Sequence, residues 1–292
     1  MQKNNSVKIK LPNNLILWSL FLVLIFGLKS NIYSQDHLSR QYEFANKLFE
    51  QELFFDAVTE YKRLLYFDND NRYEYEANFR TGSSYKLGGK YDNAIIYFRK
   101  SELIARNTEE IFNSKIEIIR CNILRKTTDT ALQLLKEIDN DTRFYDKKDM
   151  IFYWQGWAYM LADDWKNAAL SFYRMDPGHE LRNLAWKVEN DKYSVTFAKV
   201  ISYILPGFGQ FYTGHYLSGF MSIGWNALWG YLTINAFIEN RAFDGIVIGN
   251  LLWLRFYKGN YENAVKFAVD ENIIISNKAL RFLENNYDGE KP

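Results

Sequence analysis

The stretch K90-Y-D-N-A-I-I-Y-F-R-K-S101 decides how this chain folds, because it comes back in altered form at a fixed distance. FFDAVTEYKRLL occupies 54–65, TTDTALQLLKEI 127–138 and DWKNAALSFYRM 164–175. Each contains an alanine, Ala57, Ala94, Ala131 or Ala168, and each alanine lies 37 positions after the last. Three residues before it stands Phe54, Tyr91, Thr128 or Trp165; four after it stands Tyr61, Phe98, Leu135 or Phe172; seven after it stands Leu64, Ser101, Ile138 or Met175. Spacings of 3, 4 and 7 trace one face of a helix.

A second helix precedes each of these. Twelve residues before the alanines come Ala45, Gly82, Ile119 and Gly156, and nine before them Leu48, Tyr85, Asn122 and Tyr159. A small residue set beside a large aromatic lets two helices approach closely. A bulkier group there would overpack the pair, at about 1–3 kcal/mol.

This pattern resembles the tetratricopeptide repeat family. The fullest copies are Gly82, Tyr85, Gly89, Tyr91, Ala94, Phe98 and then Gly156, Tyr159, Asp163, Trp165, Ala168, Phe172. The first copy departs at Glu52, where glycine is usual, and the third is degenerate at Ile119, Asn122, Lys126 and Thr128. The period is 37 rather than the family's usual 34, with the additional residues expected at junctions such as 67–71 and 106–109. The resemblance covers residues 38–177. It implies stacked helix pairs forming a solenoid whose first helices line a concave face. That face would present Tyr42, Asn46, Phe49, Phe79, Ser83, Lys86, Arg120, Tyr153 and Trp157 to a protein or peptide partner. The alternative for each aromatic is that it fills the core. The carboxylate clamp of some family members is not reproduced.

The amino terminus reads as an export address. Residues 1–34 lack Asp and Glu; Lys3, Lys8 and Lys10 precede the apolar run Leu15–Leu28, and polar residues lead to Ser34-Gln35. This is the order of a secretory signal, with an uncleaved anchor as its rival. The 14-residue apolar run would reach roughly 21 Å as a helix, short of a ~30 Å hydrocarbon core. Removing 1–34 takes away four lysines and turns a net charge of +1 into −3.

The last third has another character. Asp176-Pro177-Gly178-His179 carries turn chemistry, and a helix is expected over Leu181–Asp191. From Val200 to Ile238 no Asp, Glu, Lys or Arg occurs. Within that run Leu217–Ile238 would span roughly 33 Å as a helix, enough for a bilayer. A second apolar stretch, Phe243–Tyr257, follows a linker at 239–242, so an antiparallel hairpin is expected. The run ahead of it, PGFGQFYTGHY from Pro206 to Tyr216 followed by Gly219, resembles the opening motif of two-helix membrane domains of the TM2 type and of related bacterial envelope domains. The matching residues are Pro206, Gly207, Gly209, Gln210, Tyr212, Gly214 and Gly219. The match covers 197–268 and implies membrane association there. Pro206 would end the helix before it, and the glycines would turn Phe208, Phe211 and Tyr212 to the membrane surface. A hairpin packed as a soluble cap is the alternative. Residues 259–267 read as a vestigial repeat or an amphipathic helix, and Lys278–Asn286 as a short polar helix.

Chemistry is sparse. One cysteine, Cys121, excludes an intramolecular disulfide and a Cys-based zinc site. Three scattered histidines, His37, His179 and His215, make a His-rich metal site unfavourable. With a net charge of +1 a nucleic-acid role gains no support. HExxH, GxSxG, CxxC and a P-loop Lys-Ser/Thr are all missing. His179-Glu180 reads as a turn cap and Asp163-Asp164 as a solvated turn.

The expectation is therefore an all-α chain: a signal peptide at 1–34, a tetratricopeptide-type solenoid at 35–180, the motif and hydrophobic two-helix membrane domain at 181–268, and a short helix and polar tail at 269–292. Its function would be that of a non-enzymatic envelope scaffold without cofactor or metal, exported and held at the inner membrane. The rival is a soluble exported binding module.

Overall fold

The computed structural model describes residues 37–292, so the signal segment expected at 1–34 lies outside the described residues. Every regular element among those residues is helical. They fall into two compact units, residues 37–147 and Lys148–Lys291.

The first unit begins with α1 (37–50). It continues through α2 (Phe54–Phe67), α3 (Glu74–Leu87), α4 (Tyr91–Ile104), α5 (Thr108–Leu124) and α6 (Thr128–Asp139), and ends in the 3₁₀ turn Thr142–Lys147. From α2 onward each helix packs on its neighbour in sequence. The repeating positions explain why. Ala57, Ala94 and Ala131 are fully buried, and so are Tyr61, Phe98 and Leu135 one turn later. Facing Phe98 is Gly82, whose backbone lies so close that a β-carbon there would sit 2.8 Å from the ring.

The turns inside the repeats share one conformation. Glu52, Gly89, Lys126 and Asp163 all have positive φ, at 60°, 72°, 60° and 63°. They are again spaced by 37 residues. Only one of the four is glycine, although the left-handed region costs an L-residue roughly 1–2 kcal/mol. Each tight turn imposes this backbone and overrides residue preference.

The second unit holds the fourth repeat and everything after it. Its helices are α7 (Lys148–Leu161), α8 (Trp165–Met175), α9 (Glu180–Asp191), α10 (Val195–Ile204), α11 (Phe208–Tyr212), α12 (Tyr216–Ile238) and α13 (Ala242–Ile248). A π-helical turn, Gly249–Trp253, leads without a break into α14 (Leu254–Asn286). In the fourth repeat Ala168 and Phe172 are fully buried, and a β-carbon on Gly156 would come within 2.4 Å of the Phe172 ring.

Two expectations change here. The second hairpin arm does not stop near Tyr257. Helical structure runs from 242 to 286 and absorbs both the repeat-like segment at 259–267 and the expected separate helix at Lys278–Asn286. The lone Gly259 costs such a helix only about 1 kcal/mol, and neither proline nor a turn pair follows it. The spanning segment also changes. α12 has 23 residues, but among the described residues no helix is both long and apolar enough to cross a membrane. Asn226, Asn235, Ser218, Ser222, Thr233 and three glycines dilute α12, and α13 has only 7 residues.

α14 joins the two ends of its unit. Its first half packs with α10, α11 and α12, and α14 also meets α9. Near its far end Ser276 Oγ accepts from Trp165 Nε1 of the fourth repeat (3.0 Å) and donates to Asp163 Oδ1 (2.6 Å).

Candidate functional site

The residues expected on a partner-binding face are divided between the units: Tyr42, Asn46, Phe49, Phe79, Ser83, Lys86 and Arg120 in the first, Tyr153 and Trp157 in the second. In the first unit most are engaged within the protein. Tyr42 packs on Tyr61 and Tyr73, with ring centroids 6.3 and 5.1 Å away. Asn46 Oδ1 accepts from the Tyr61 hydroxyl at 2.6 Å, and burial pushes that phenol's pKa up. Phe49 lies edge-on to Phe54 under the Arg80 guanidinium, and Phe79 stacks on Tyr75 and meets Phe98 edge-on. Ser83 Oγ donates to the Phe79 carbonyl of its own helix. The two cations share one carboxylate: Lys86 Nζ lies 2.5 Å and Arg120 Nη1 2.6 Å from the oxygens of Glu117. All three side chains are largely buried, so this is a closed charge cluster, not a pair of free cations. Glu117 was not anticipated, because it lies one turn from Arg120 but far in sequence from Lys86.

In the second unit the chain covers its own surface. Tyr287, just past α14, packs on Trp157 with centroids 5.9 Å apart. Its hydroxyl lies 3.0 Å from that of Tyr153, which also donates to the Glu290 carbonyl. Trp157 is buried as a result, and burial together with the Tyr153 hydrogen bond raises the Tyr287 pKa.

The glycine-rich motif forms a buried polar network, and Asn260 of α14 is its hub. Asn260 Oδ1 accepts from the Gly207 amide (2.8 Å), from Gln210 Nε2 (3.1 Å) and from Ser222 Oγ (2.7 Å). Its carbonyl accepts from Gln210 Nε2 (2.8 Å), and its Nδ2 donates to the Ser202 carbonyl (2.7 Å). One side chain thus ties α10, α11, α12 and α14 together. Pro206 follows the end of α10. Gly207 takes φ +92°, and a β-carbon on it would strike the Gly219 carbonyl at 2.4 Å. Gly209 packs on Ser202 and Ala198, and Gly219 leaves the space that Phe211 fills. Gly214 turns the chain at φ +82°. The Tyr212 hydroxyl accepts from the Ser194 amide at 3.0 Å. All seven motif residues are gathered around the start of α12. Phe208 and Tyr212 remain exposed, whereas Phe211 turns inward against Gly219. No spacing rule pointed to Asn260.

Around this hub α12 is arranged inside out. Its buried residues are Gly219, Asn226, Gly230, Thr233 and Ala236, whereas Leu217, Phe220, Leu228, Ile234 and Ile238 are exposed. Phe220 is 67% and Ile234 56% exposed, against 7% for Asn226.

The remaining candidates are structural. His179 Nδ1 accepts from the Leu181 amide and caps α9, and its ring stacks on Phe172. His215 lies flat on Phe267, 3.8 Å between centroids, with Glu271 3.9 Å from Nε2. Asp164 caps α8. Burial would raise the Asp163 pKa, but hydrogen bonds from Lys192, Ser276 and Trp165 outweigh it and hold the carboxyl below its usual range. Burial pushes the Cys121 thiol up to about 12. No group of His, Cys, Asp and Glu among the described residues could hold a metal ion.

Compared with known proteins, the sequence matches no family model and no curated protein.

Proposed function

We propose that this chain is a non-enzymatic envelope scaffold: a tetratricopeptide-type solenoid that binds a protein or peptide partner, exported and held at the inner membrane by its α12–α13 hairpin. The observation that carries the proposal is the inverted α12. Water-soluble helices bury apolar residues and expose polar ones. Here small and polar side chains face the packed interior while large apolar ones face outward, as expected where lipid is the solvent. Exposed apolar surface of this kind marks an interaction site. The pair need not rely on one uniformly apolar helix, because Asn226 and Thr233 spend their donors on the helix backbone, on Ser222 O and Trp229 O. The repeat register and the small-residue–aromatic pairs Gly82–Phe98 and Gly156–Phe172 support the solenoid reading.

Alkaline-carbonate extraction of the full chain tests the anchor. Membranes should retain the wild type and release a variant carrying Phe220→Asp, Leu228→Asp and Ile234→Asp, all at exposed positions. Release of the wild type as well would remove the anchor. Crosslinking in the native envelope tests the partner: a discrete protein adduct is expected, and its absence would remove the scaffold.

The packing of α14 against α8 through Trp165 and Ser276 favours a second reading, a soluble module whose C-terminal helix caps the last repeat. It predicts a wild-type chain that stays dispersed without detergent.

A further inference from the structure

A cleft of about 500 Å³ opens between α12 and α14 beside the Asn260 hub. Gln210 and Asn226 contribute to its lining, and each brings a buried carbonyl oxygen, Oε1 and Oδ1, that has no hydrogen-bond partner. The orientation of both amides is fixed by their nitrogens. Gln210 Nε2 donates to the Asn260 carbonyl and Oδ1, and Asn226 Nδ2 donates to the Ser222 carbonyl. Turning either amide over would set acceptor against acceptor. The cleft is therefore lined by two amides whose oxygens no donor of the protein reaches, and an unpaired buried acceptor is unfavourable until a donor arrives.

The rest of the lining narrows the chemistry. Arg255 stands exposed beside the cleft and forms no ion pair among the described residues. Trp225 and Phe256 form an aromatic side, their rings 5.5 Å apart and within 21° of parallel, with Trp229 close to parallel beside them. Rings set parallel do not enclose a quaternary ammonium as crossed rings do. Leu217 and Met221 line the cleft and are exposed on the apolar outside of α12.

We propose that this cleft holds the head group of a phospholipid that carries a hydrogen-bond donor, which rests on the membrane reading above. The ammonium or hydroxyl of the head group donates to Gln210 Oε1 and Asn226 Oδ1. The phosphate pairs with Arg255, and the acyl chains follow Leu217 and Met221 along the hairpin. Ethanolamine and glycerol head groups supply such donors; choline carries the same phosphate with no N–H or O–H.

The test is native mass spectrometry of the full chain in detergent, titrated with phosphatidylethanolamine, phosphatidylglycerol or phosphatidylcholine of identical acyl chains. One or both donor-bearing lipids should bind about tenfold more tightly than phosphatidylcholine, and which of them does so identifies the donor. Asn226→Leu and, independently, the exposed Arg255→Gln should remove most of that preference while thermal melting stays within a few degrees of wild type. Equal binding of all three lipids would overturn the proposal, leaving ordered water as the partner of the two oxygens; the membrane reading would survive. Preference for phosphatidylcholine would overturn it in favour of the aromatic side. Binding of soluble phosphoethanolamine as tightly as the lipid would overturn the assignment to a lipid. Loss of all lipid binding, with wild type released by carbonate, would remove the membrane reading along with it.

Discussion

The ring of Phe172 occupies the space in which a side chain on Gly156 would stand: a β-carbon there would lie 2.4 Å from the tip of the ring. The ring is fully buried and has nowhere to retreat without displacing its neighbours. Gly156→Ala should therefore destabilise the protein by about 1–3 kcal/mol. Gly82→Ala should cost less, since its β-carbon would meet Phe98 at 2.8 Å. Thermal unfolding of the two variants in the full chain checks both the sign and the order; an unchanged melting temperature for Gly156→Ala would contradict the packing.

Asn260 accepts or donates in five hydrogen bonds between elements. Asn260→Ala removes the acceptor of the Gly207 amide and the Ser222 hydroxyl, while Gln210 Nε2 keeps the backbone carbonyl, and costs about 2 kcal/mol or more, since each stranded group carries roughly 1–3 kcal/mol. Asn263→Ala, at an exposed position of the same helix, should stay within about 0.5 kcal/mol of wild type. Equal melting temperatures for the two variants would show that the network is not what holds α10, α11 and the start of α12 together.

Lys126 sits at φ 60° in the turn of the third repeat. Glycine adopts that backbone freely, so Lys126→Gly should stabilise the protein by up to about 1 kcal/mol, the relief of left-handed strain less glycine's larger unfolded-state entropy. Chemical denaturation of both forms measures it, and a lower midpoint for the variant would count against the shared turn geometry.

Against the opposing effect of burial, hydrogen bonds from Lys192, Ser276 and Trp165 hold the Asp163 carboxyl pKa below the usual carboxylate range in the folded state. A depressed carboxylate stabilises the protein above its unfolded pKa, and that contribution is lost as pH falls below about 4 through the folded pKa. Thermal melts should show the wild type losing more stability than Asp163→Asn between neutral pH and the region below pH 4. Parallel curves would mean that Lys192, Trp165 and Ser276 do not depend on the charge.

Cys121 is fully buried, and its thiol is pushed up to about 12. Only the thiolate attacks an alkylating agent. Iodoacetamide at pH 8 should leave the native protein unmodified and label it once unfolded in guanidinium. Labelling of the folded chain would place this residue near the surface.

Fold and site were legible to different depths. The alanines at 57, 94, 131 and 168 announced buried helix faces, because a period of 37 and spacings of 3 and 4 are properties of the sequence itself. The left-handed turns at Glu52 and Lys126 were legible only through that register, since neither residue type suggests positive φ. The motif glycines marked a tightly packed start to the hairpin, but Asn260 did not announce itself: its partners lie 38 to 58 residues away in sequence. The covering of Trp157 by Tyr287 and the pairing of Lys86 with Glu117 were hidden for the same reason. Periodicity reports which face of a helix is buried and is silent on which distant residue buries it. The inverted arrangement of α12 was half visible: its apolar content could be read, but not which polar residues turn inward, since Asn226 and Thr233 are buried whereas Asn235 bonds Glu239 at the surface.

The position of α14 has a consequence for how the protein is made. Trp165 meets Ser276 across 111 residues, and Tyr153 meets Tyr287 across 134. The fourth repeat is thus closed by residues that emerge more than a hundred positions after it, once α12 and α13 have left the ribosome. Contacts so distant in sequence form slowly, and a nascent chain must keep Trp157 and Trp165 uncovered until α14 arrives. Synthesis of α12 and α13 therefore precedes completion of the repeat, and a chain that stalls short of Ser276 leaves those two indoles uncovered.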